Sequence, residues 1–379
     1  MPGARLLRPL LERLYRRRDR MLGDPAFHRA VLRFLPTRWV ARRRARELFD
    51  ITTGFVYSQV LAACIELNLF ERLEAGPAST AVLAAEFGIE LEALSRLLAA
   101  ASELRLLQRS GDEVWRLGDL GAASLGSPGI AAMVRHHHLL YADLANPLDL
   151  LRDRSSSRLG EFWRYAASPG TSEAENAAHY SDLMAQSQSF VADDVLTHLA
   201  LWGRERLLDI GGGSGVFAAE ALRRFPDLRA TVFDLPDVAA LAAQRFARAG
   251  LGERGLAMPG NMFEDPLPRD ADVISLVRIL HDHDDEPVRQ LLAAARAAIR
   301  SDGFLVVAEP MAETPAAPGV GAYFHLYLWA MRSGKPRSAR RLRELLEEAG
   351  FADVQERPSF QPLLVRILTA RPGDIGRDK

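Results

Sequence analysis

Three short stretches of the 379-residue chain combine residue types that could do chemistry. In LLDIGGGSGVFAAEAL, Asp209 precedes Gly211, Gly212, Gly213 and Gly215, which let a backbone turn sharply and approach a ligand with no Cβ in the way. Gly213 to Ala218 also reads as the dinucleotide fingerprint G-x-G-x-x-A, and Asp234 follows at roughly the distance expected of a ribose-binding acid. Spacing alone does not separate NAD from other adenosine ligands. The discriminating residue is Asp209, whose carboxylate would repel a pyrophosphate and attract an ammonium or sulfonium centre. S-adenosylmethionine carries both cations and no phosphate. The second stretch, ILHDHDDEP, sets His281 directly after a β-prone run, where an imidazole can take a proton near neutral pH. In the third, VVAEP, Glu309 joins Asp282 as a carboxylate that could orient that imidazole or stabilise its cation. Which of the two touches it is left open.

The same histidines invite a metal reading, because imidazole and carboxylate together suit several divalent ions. Asp284 or Asp285 is better explained as the N-terminal charge of the helix EPVRQLLAAARAAI, and no metal is expected. His283 reads as a solvated residue at that helix start, with a second proton carrier as the alternative. His136 to His138 lie in a helical stretch where neighbours point different ways, so they cannot present three ligands together. At least one is expected to line a pocket and the rest to lie at the surface.

These residues must be positioned by elements. RERLLDI, RATVFDL, DADVISLV and GFLVVAE are β-prone runs, most followed by a helical segment, which predicts an α/β, doubly wound parallel sheet from 203 to 379. Its ligand belongs at the carboxyl ends of the strands. Residues 47–202 read as mostly helical, with an N-cap at Ser79 or Thr80, a stop at Gly88 and a helix from Glu90 to Leu104. The hairpin LLQRSGDEVWRL then turns at Ser110 to Asp112. Helices followed by a hairpin make a winged-helix arrangement, so a DNA-binding regulator is a hypothesis from another class, beside an NAD-dependent oxidoreductase. The recognition helix would meet phosphates with Glu90, Glu92 and Glu103 against Arg96, and no nucleic-acid partner is expected.

The net charge of −1 hides a division along the chain. Residues 1–46, a basic arm, hold fourteen Arg against Glu12, Asp19 and Asp24, or +11. Such a block is ordinarily a solvated face. With Leu6, Leu7, Leu10, Leu11 and Leu14 at helical spacing it can also lie on an anionic lipid surface, as a peripheral contact. No apolar run reaches the roughly eighteen residues that span a bilayer, and Arg and Pro interrupt any secretory h-region, so a cytoplasmic protein is expected. The single Cys64 excludes an internal disulfide and reads as core.

DIGGGSG, FDLP, GNMFEDPLP, ILHD, VVAEPM and a closing AGF, in this order, resemble the S-adenosylmethionine-dependent small-molecule O-methyltransferases that include acetylserotonin and plant phenolic enzymes. The resemblance covers about residues 47–370. RRRARELFDITTGFVYSQVL, HDHDDEPVRQLL and AYFHLYLWAMRSGKPRS are most similar to the bacterial carotenoid enzymes of the demethylspheroidene or hydroxyneurosporene type. The resemblance implies a C-terminal Rossmann-like methyltransferase domain, an N-terminal helical dimerisation domain whose winged helix does not read DNA, a homodimer, and a small apolar hydroxylated substrate. An acyclic hydroxycarotenoid is the expected acceptor, with a phenol or tetrapyrrole as the alternative.

Position by position, it places the cofactor on Gly211 to Gly215, with Asp234 accepting both ribose hydroxyls and Leu235 beside it. Met262 and Phe263 would flank adenine. Asn261 stands where the family usually has Asp, and Arg278 where it often places a Lys near the cofactor's carboxyl end. His281 matches the catalytic base. Pro336 in GKPRS replaces an acidic residue that brackets the base in many members, so one supporting carboxylate is expected to be missing. His283 replaces an aromatic residue.

Overall fold

A computed structural model describes residues 3–167, 188–315 and 317–373, with side chains from 11 onward except at 128 and 164–167. Leu6, Leu7 and Leu10 of the arm fall outside the described side chains. The chain divides into two compact units, Met1–Ala123 and Ser124–Lys379.

In the first unit, helices Gly3–Leu22 and Pro25–Arg33 lead into Arg38–Glu66. Asp24 caps the second by accepting from the Ala26 N–H at 2.8 Å, and Pro25 supplies a fixed φ at its first turn. Arg38–Glu66 runs without interruption across the boundary expected at residue 46, so arm and helical region share one element. It also corrects the expectation about length: an 18-residue window of this helix has mean hydropathy 1.4, long and apolar enough to cross a membrane, with 11% of the window buried. Thr52, Thr53 and Ser58 break up the apolar run in sequence. Each hydroxyl donates to a carbonyl one turn back, which hides part of its polarity. At the end of the helix Cys64 is fully buried, as expected of a core residue, and burial pushes its thiol up to about 12.

Next come helices Leu69–Glu74, Thr80–Phe87 and Leu91–Glu103 with strands β1 (Ala78–Ser79), β2 (Leu107–Arg109) and β3 (Val114–Leu117), ordered β1-β3-β2. Ser79 is the N-cap, Gly88 closes the helix at φ 64°, and β2 pairs with β3 from Leu107↔Leu117 to Arg109↔Trp115. This is the winged-helix arrangement.

The second unit carries a seven-stranded sheet of β4 (Arg206–Ile210), β5 (Arg229–Asp234), β6 (Gly255–Pro259), β7 (Ala271–Val277), β8 (Ile299–Glu309), β9 (Phe351–Arg357) and β10 (Arg366–Pro372). The order is β6-β5-β4-β7-β8-β10-β9. Strands β4 to β8 pair in parallel, as expected, but β10 runs antiparallel to both β8 and β9, so the sheet is mixed. Two apolar layers cover it. Phe217, Leu222 and Phe246 lie on one face; Leu291, Leu292, Leu342 and Leu345 lie on the other. The strand order reverses between β4 and β7, which opens a crevice at their carboxyl ends.

The expected boundary at residue 202 is not where the chain divides. Helices Pro128–Leu144, Pro147–Arg152 and Arg158–Ala167 belong to the second unit because Leu140, Leu150 and Leu159 bury their side chains with Tyr327, Leu328 and Met331 of helix Pro318–Ala330. That partner lies far along the chain, so helical periodicity alone could not assign them.

Candidate active site

A cavity of about 530 Å³ opens in this crevice. One half is formed by the loop after β4. Gly211, Gly213 and Gly215 adopt φ of 66°, 59° and 76°, a left-handed region that favours glycine. At Gly213 an added Cβ would meet nothing within 4 Å, so the backbone faces open space there. Gly215 serves packing instead: its Cβ would lie 3.1 Å from that of Ala242. Asp234, at the end of β5, accepts from the Gly213 N–H at 2.8 Å and the Leu235 N–H at 2.7 Å, tying the loop to the neighbouring strand. A carboxylate has about four acceptor sites, so two stay available for hydroxyls of a ligand. Burial pushes the Asp234 carboxyl up, and the two N–H groups oppose that shift.

Asp209 lies beneath this loop, not in the cavity wall. Its Oδ1 accepts from Ser275 Oγ at 2.6 Å, and its Oδ2 is buried with no hydrogen-bond partner among the described residues. A Cβ on Gly212 would fall 2.4 Å from that oxygen, so the glycine lets the loop cross directly over the acid. Burial, and to a smaller extent the charge of Asp234, raises the Asp209 carboxyl to about 7 against the pull of Ser275. Ser275 had no signal of its own in the sequence.

Met262 and Arg278 line the cavity, whereas Asn261 and Phe263 are not in its wall. Asn261 Oδ1 accepts from the Phe263 N–H at 3.0 Å, closing a local turn, and the Phe263 ring packs edge-on to His283 with centroids 4.8 Å apart. Arg278 takes a left-handed φ of 61° as the chain leaves β7, with its N–H on the Ala308 carbonyl.

The other half of the cavity centres on His281, in the short 3-10 helix Leu280–Asp282 after β7. Its Nδ1 is hydrogen-bonded to Glu309 Oε2, and Glu309 Oε1 accepts from the Ile279 and Leu280 N–H groups at 2.9 and 2.7 Å. Glu309 is thus a buried acceptor with three partners that fixes the ring. Asp282 Oδ1 stands 3.2 Å from the other ring nitrogen, Nε2. The two carboxylates therefore divide the imidazole between them, which settles their places. Burial alone would hold the imidazole down, but Asp282 and Glu309 outweigh it and raise the His281 pKa.

The GKPRS segment, where an acidic residue is absent, braces this turn through its backbone and Arg337. Gly334 has φ 81°, and a Cβ there would lie 2.1 Å from the His281 carbonyl oxygen. The Lys335 N–H donates to that same oxygen at 2.9 Å. Buried Arg337 donates to the carbonyls of Leu280 and His283 at 2.6 and 2.8 Å and to Asp285 at 2.9 Å. Against the upward pull of burial, Arg337 and Lys335 hold the Asp285 carboxyl at about 2. Asp285 is in the first turn of its helix, as expected, but its charge is taken by this clamp. Among the described residues, no group of three His, Cys, Asp or Glu could hold a metal ion.

The wall facing His281 is aromatic. Phe324 meets the imidazole edge-on at 5.8 Å, and Tyr323 stacks on Tyr327 at 5.3 Å, with Met133, Trp163 and Met331 completing the surface. Both tyrosine hydroxyls are engaged: His136 Nε2 pairs with Tyr327 at 3.0 Å and His137 Nε2 with Tyr323 at 2.9 Å. His136 is buried, His137 half-buried and His138 exposed, and none of the three lines the cavity, which corrects the expectation that at least one would and that the rest lie at the surface. The triplet's internal pair supports the wall and does not line it. His283 is also half-buried in the cavity, and not solvated; burial, then the charge of His281, pushes it down to about 4. It is therefore neutral at pH 7.

Comparison with known proteins matches this geometry to a family. Family models for an O-methyltransferase domain and an O-methyltransferase dimerisation domain match residues 151–352 and 49–127. The demethylspheroidene O-methyltransferase of Cereibacter sphaeroides is 42% identical, over 94% of both chains. The Rhodobacter capsulatus enzyme of the same name is 39% identical, over 88% of this chain and 84% of its own. Among solved structures, human N-acetylserotonin methyltransferase in complex with S-adenosylmethionine has a TM-score of 0.71 and 26% identity, covering 87% of this chain and 98% of its own.

Proposed function

The chain belongs to the S-adenosylmethionine-dependent O-methyltransferases, and from that premise we propose that it methylates a tertiary hydroxyl of an acyclic hydroxycarotenoid, with His281 as general base. The carrying observation is the His281 imidazole, held at Nδ1 by Glu309, in a cavity whose facing wall is aromatic. The residues of the other half fit the cofactor. Asp209 offers an unpartnered buried oxygen beneath the loop, Gly213 is open, and Asp234 keeps acceptor sites for ribose hydroxyls. Met262 and Arg278 would face adenine and the cofactor's carboxylate. When bound, S-adenosylmethionine supplies an electrophilic methyl on a sulfonium.

The chain's own residues then have one proton to manage. An aliphatic alcohol, about as weakly acidic as water near 15.7, faces an imidazole near 6.5, so full prior deprotonation would cost about 12 kcal/mol. A phenol near 10 would cost about 5 kcal/mol. Proton removal by His281 Nε2 therefore accompanies methyl transfer or follows it. Asp282, at that nitrogen, stabilises the imidazolium as it forms, and Glu309 keeps the ring's tautomer and aim. A neutral oxygen attacking a cation only spreads charge, so positioning matters more than charge stabilisation, and apolar walls suit the reaction. The carotenoid assignment is supported by the names of the two bacterial relatives and by tyrosine hydroxyls turned to His136 and His137. Incubation with labelled methyl donor and hydroxylated carotenoids should put label in the polyene fraction. Label only in phenols or tetrapyrroles would overturn the reading.

The dimerisation-domain match supports a homodimer. In this reading a second copy covers the exposed Ile51 and Phe55 of helix Arg38–Glu66, while the basic arm, with Leu11, Leu14 and Tyr15 exposed, meets anionic lipid at a membrane's cytoplasmic face. Flotation with anionic vesicles should be weakened on deleting residues 1–20. If both forms float equally, the arm has no lipid role.

A further inference from the structure

Toward the other end of the sheet, the second unit has another cavity, of about 260 Å³, lined by His198, Arg204, Phe304, Arg357, Thr369 and Arg371 among others. Register places it: Glu309 of the catalytic half pairs with Arg366, whereas Ala370 in this cavity pairs with Leu305. The methyl-transfer chemistry uses none of these residues.

Three guanidiniums, of Arg204, Arg357 and Arg371, line the cavity against one carboxylate, Asp353. Arg204 lies over the Phe304 ring at 5.4 Å and donates to the Asp302 carbonyl at 3.0 Å, while the Asp302 carboxylate pairs with Arg300. Arg357 spends its Nε on Thr369 Oγ1 at 3.0 Å, leaving its two terminal nitrogens. Neither guanidinium is in an ion pair among the described residues. Arg371 is 3.8 Å from Asp353, the one acid in the lining. Forked guanidiniums converging on a cavity suit a phosphate.

The rim is apolar. His198 packs against the Phe360 ring with centroids 4.5 Å apart, and Phe360 is 66% exposed. Trp202, two residues before Arg204, is 71% exposed and packs on the Phe225 ring with centroids 5.1 Å apart. A free phosphate has no use for such a rim. Aromatic side chains beside cations are what a lipid interface rewards, because the rings sit at headgroup depth while guanidiniums meet phosphates.

We propose that this cavity takes the phosphate of an anionic lipid headgroup, with Trp202 and Phe360 entering the interface beside it, so that the catalytic unit itself docks on a membrane surface. The inference rests on neither the acceptor nor the basic arm, which lies in the other compact unit.

The test uses the full chain and vesicles of phosphatidylcholine with or without phosphatidylglycerol. Arg204→Gln/Arg357→Gln should lower partition onto the anionic vesicles about 30-fold, as two interfacial cations would, while S-adenosylmethionine affinity stays unchanged and shows the fold intact. Brominated lipid should quench the wild type more than Trp202→Phe. Unchanged partition of the double variant, equal quenching of the two proteins, or saturable binding of inorganic phosphate that the double variant loses while its vesicle partition is unchanged would each overturn the lipid assignment.

Discussion

In the cofactor half of the catalytic cavity, Gly213 and Leu235 reach Asp234 through backbone N–H groups of two adjoining β-strand ends, and the glycine turn makes the surface. In the acceptor half, Met133, Trp163, His281 and Phe324 arrive from four separate segments, and their side chains make the surface. The first half is therefore set by main-chain geometry and accepts one ligand. The second is set by side chains and can be reshaped without losing the first. A family can vary its acceptors by changing one half while keeping its cofactor with the other.

The largest effect should break the halves apart. His281→Ala is expected to keep cofactor affinity and lose about two to four orders of magnitude in kcat, the usual range for a positioned general base. Unchanged turnover at saturating acceptor removes His281 from the mechanism. The base must be neutral to act, and two carboxylates raise its pKa, so kcat should climb with pH beyond the ordinary imidazole value of 6.5. Glu309→Gln should move that limb to lower pH as well as slowing turnover; a limb that stays put means Glu309 does not tune the ring.

Asp234→Ala tests the other half. It strands two N–H groups and removes the ribose acceptor, so calorimetry should show S-adenosylmethionine and its demethylated product both weakened about 10- to 100-fold. An effect on one ligand alone would contradict a shared ribose contact.

Asp209 sharpens the comparison through pH. Its carboxyl is raised from 3.8 to about 7, so in that window the folded chain holds a proton that the unfolded chain has lost. Stability from this group is present in full below about pH 4 and falls as pH rises to 7. Asp209→Asn should flatten that slope in thermal melts at pH 4.5 to 8, gaining relative stability at the upper end by up to a few kcal/mol. It should also weaken binding of the cationic cofactor most above pH 7. Parallel melting profiles would show that Asp209 does not titrate there.

The smallest effect concerns the wall. Phe324→Ala removes an aromatic side chain from the cavity wall facing His281, and if an aromatic contact of about 0.5–1.5 kcal/mol to the acceptor goes with it, acceptor KM should rise roughly two- to tenfold. Tyr323→Phe should leave KM nearly unchanged, because its hydroxyl is turned to His137. A large effect of the second would mean that the hydroxyl meets the acceptor.

The sequence by itself determined what depends on neighbours along the chain. The glycine turn before Val216, the caps at Ser79 and Gly88, the hairpin after Leu107 and the runs of β4, β5, β7 and β8 follow from local conformational preference and alternation. His281 was legible because it ends a strand. Strands β6, β9 and β10 carry a weaker signal: GLAMP has no β-branched residue, and FADVQER exposes most of its positions. Only the tertiary structure decided which carboxylate holds which nitrogen of His281, that Asp209 works from beneath the loop, that His136 and His137 reach tyrosines 191 and 186 residues away, and that helices from 128 to 167 join the catalytic unit. Those pairings are fixed by sheet register and by which apolar faces meet. Both are sums over distant residues, and no short window of sequence contains them.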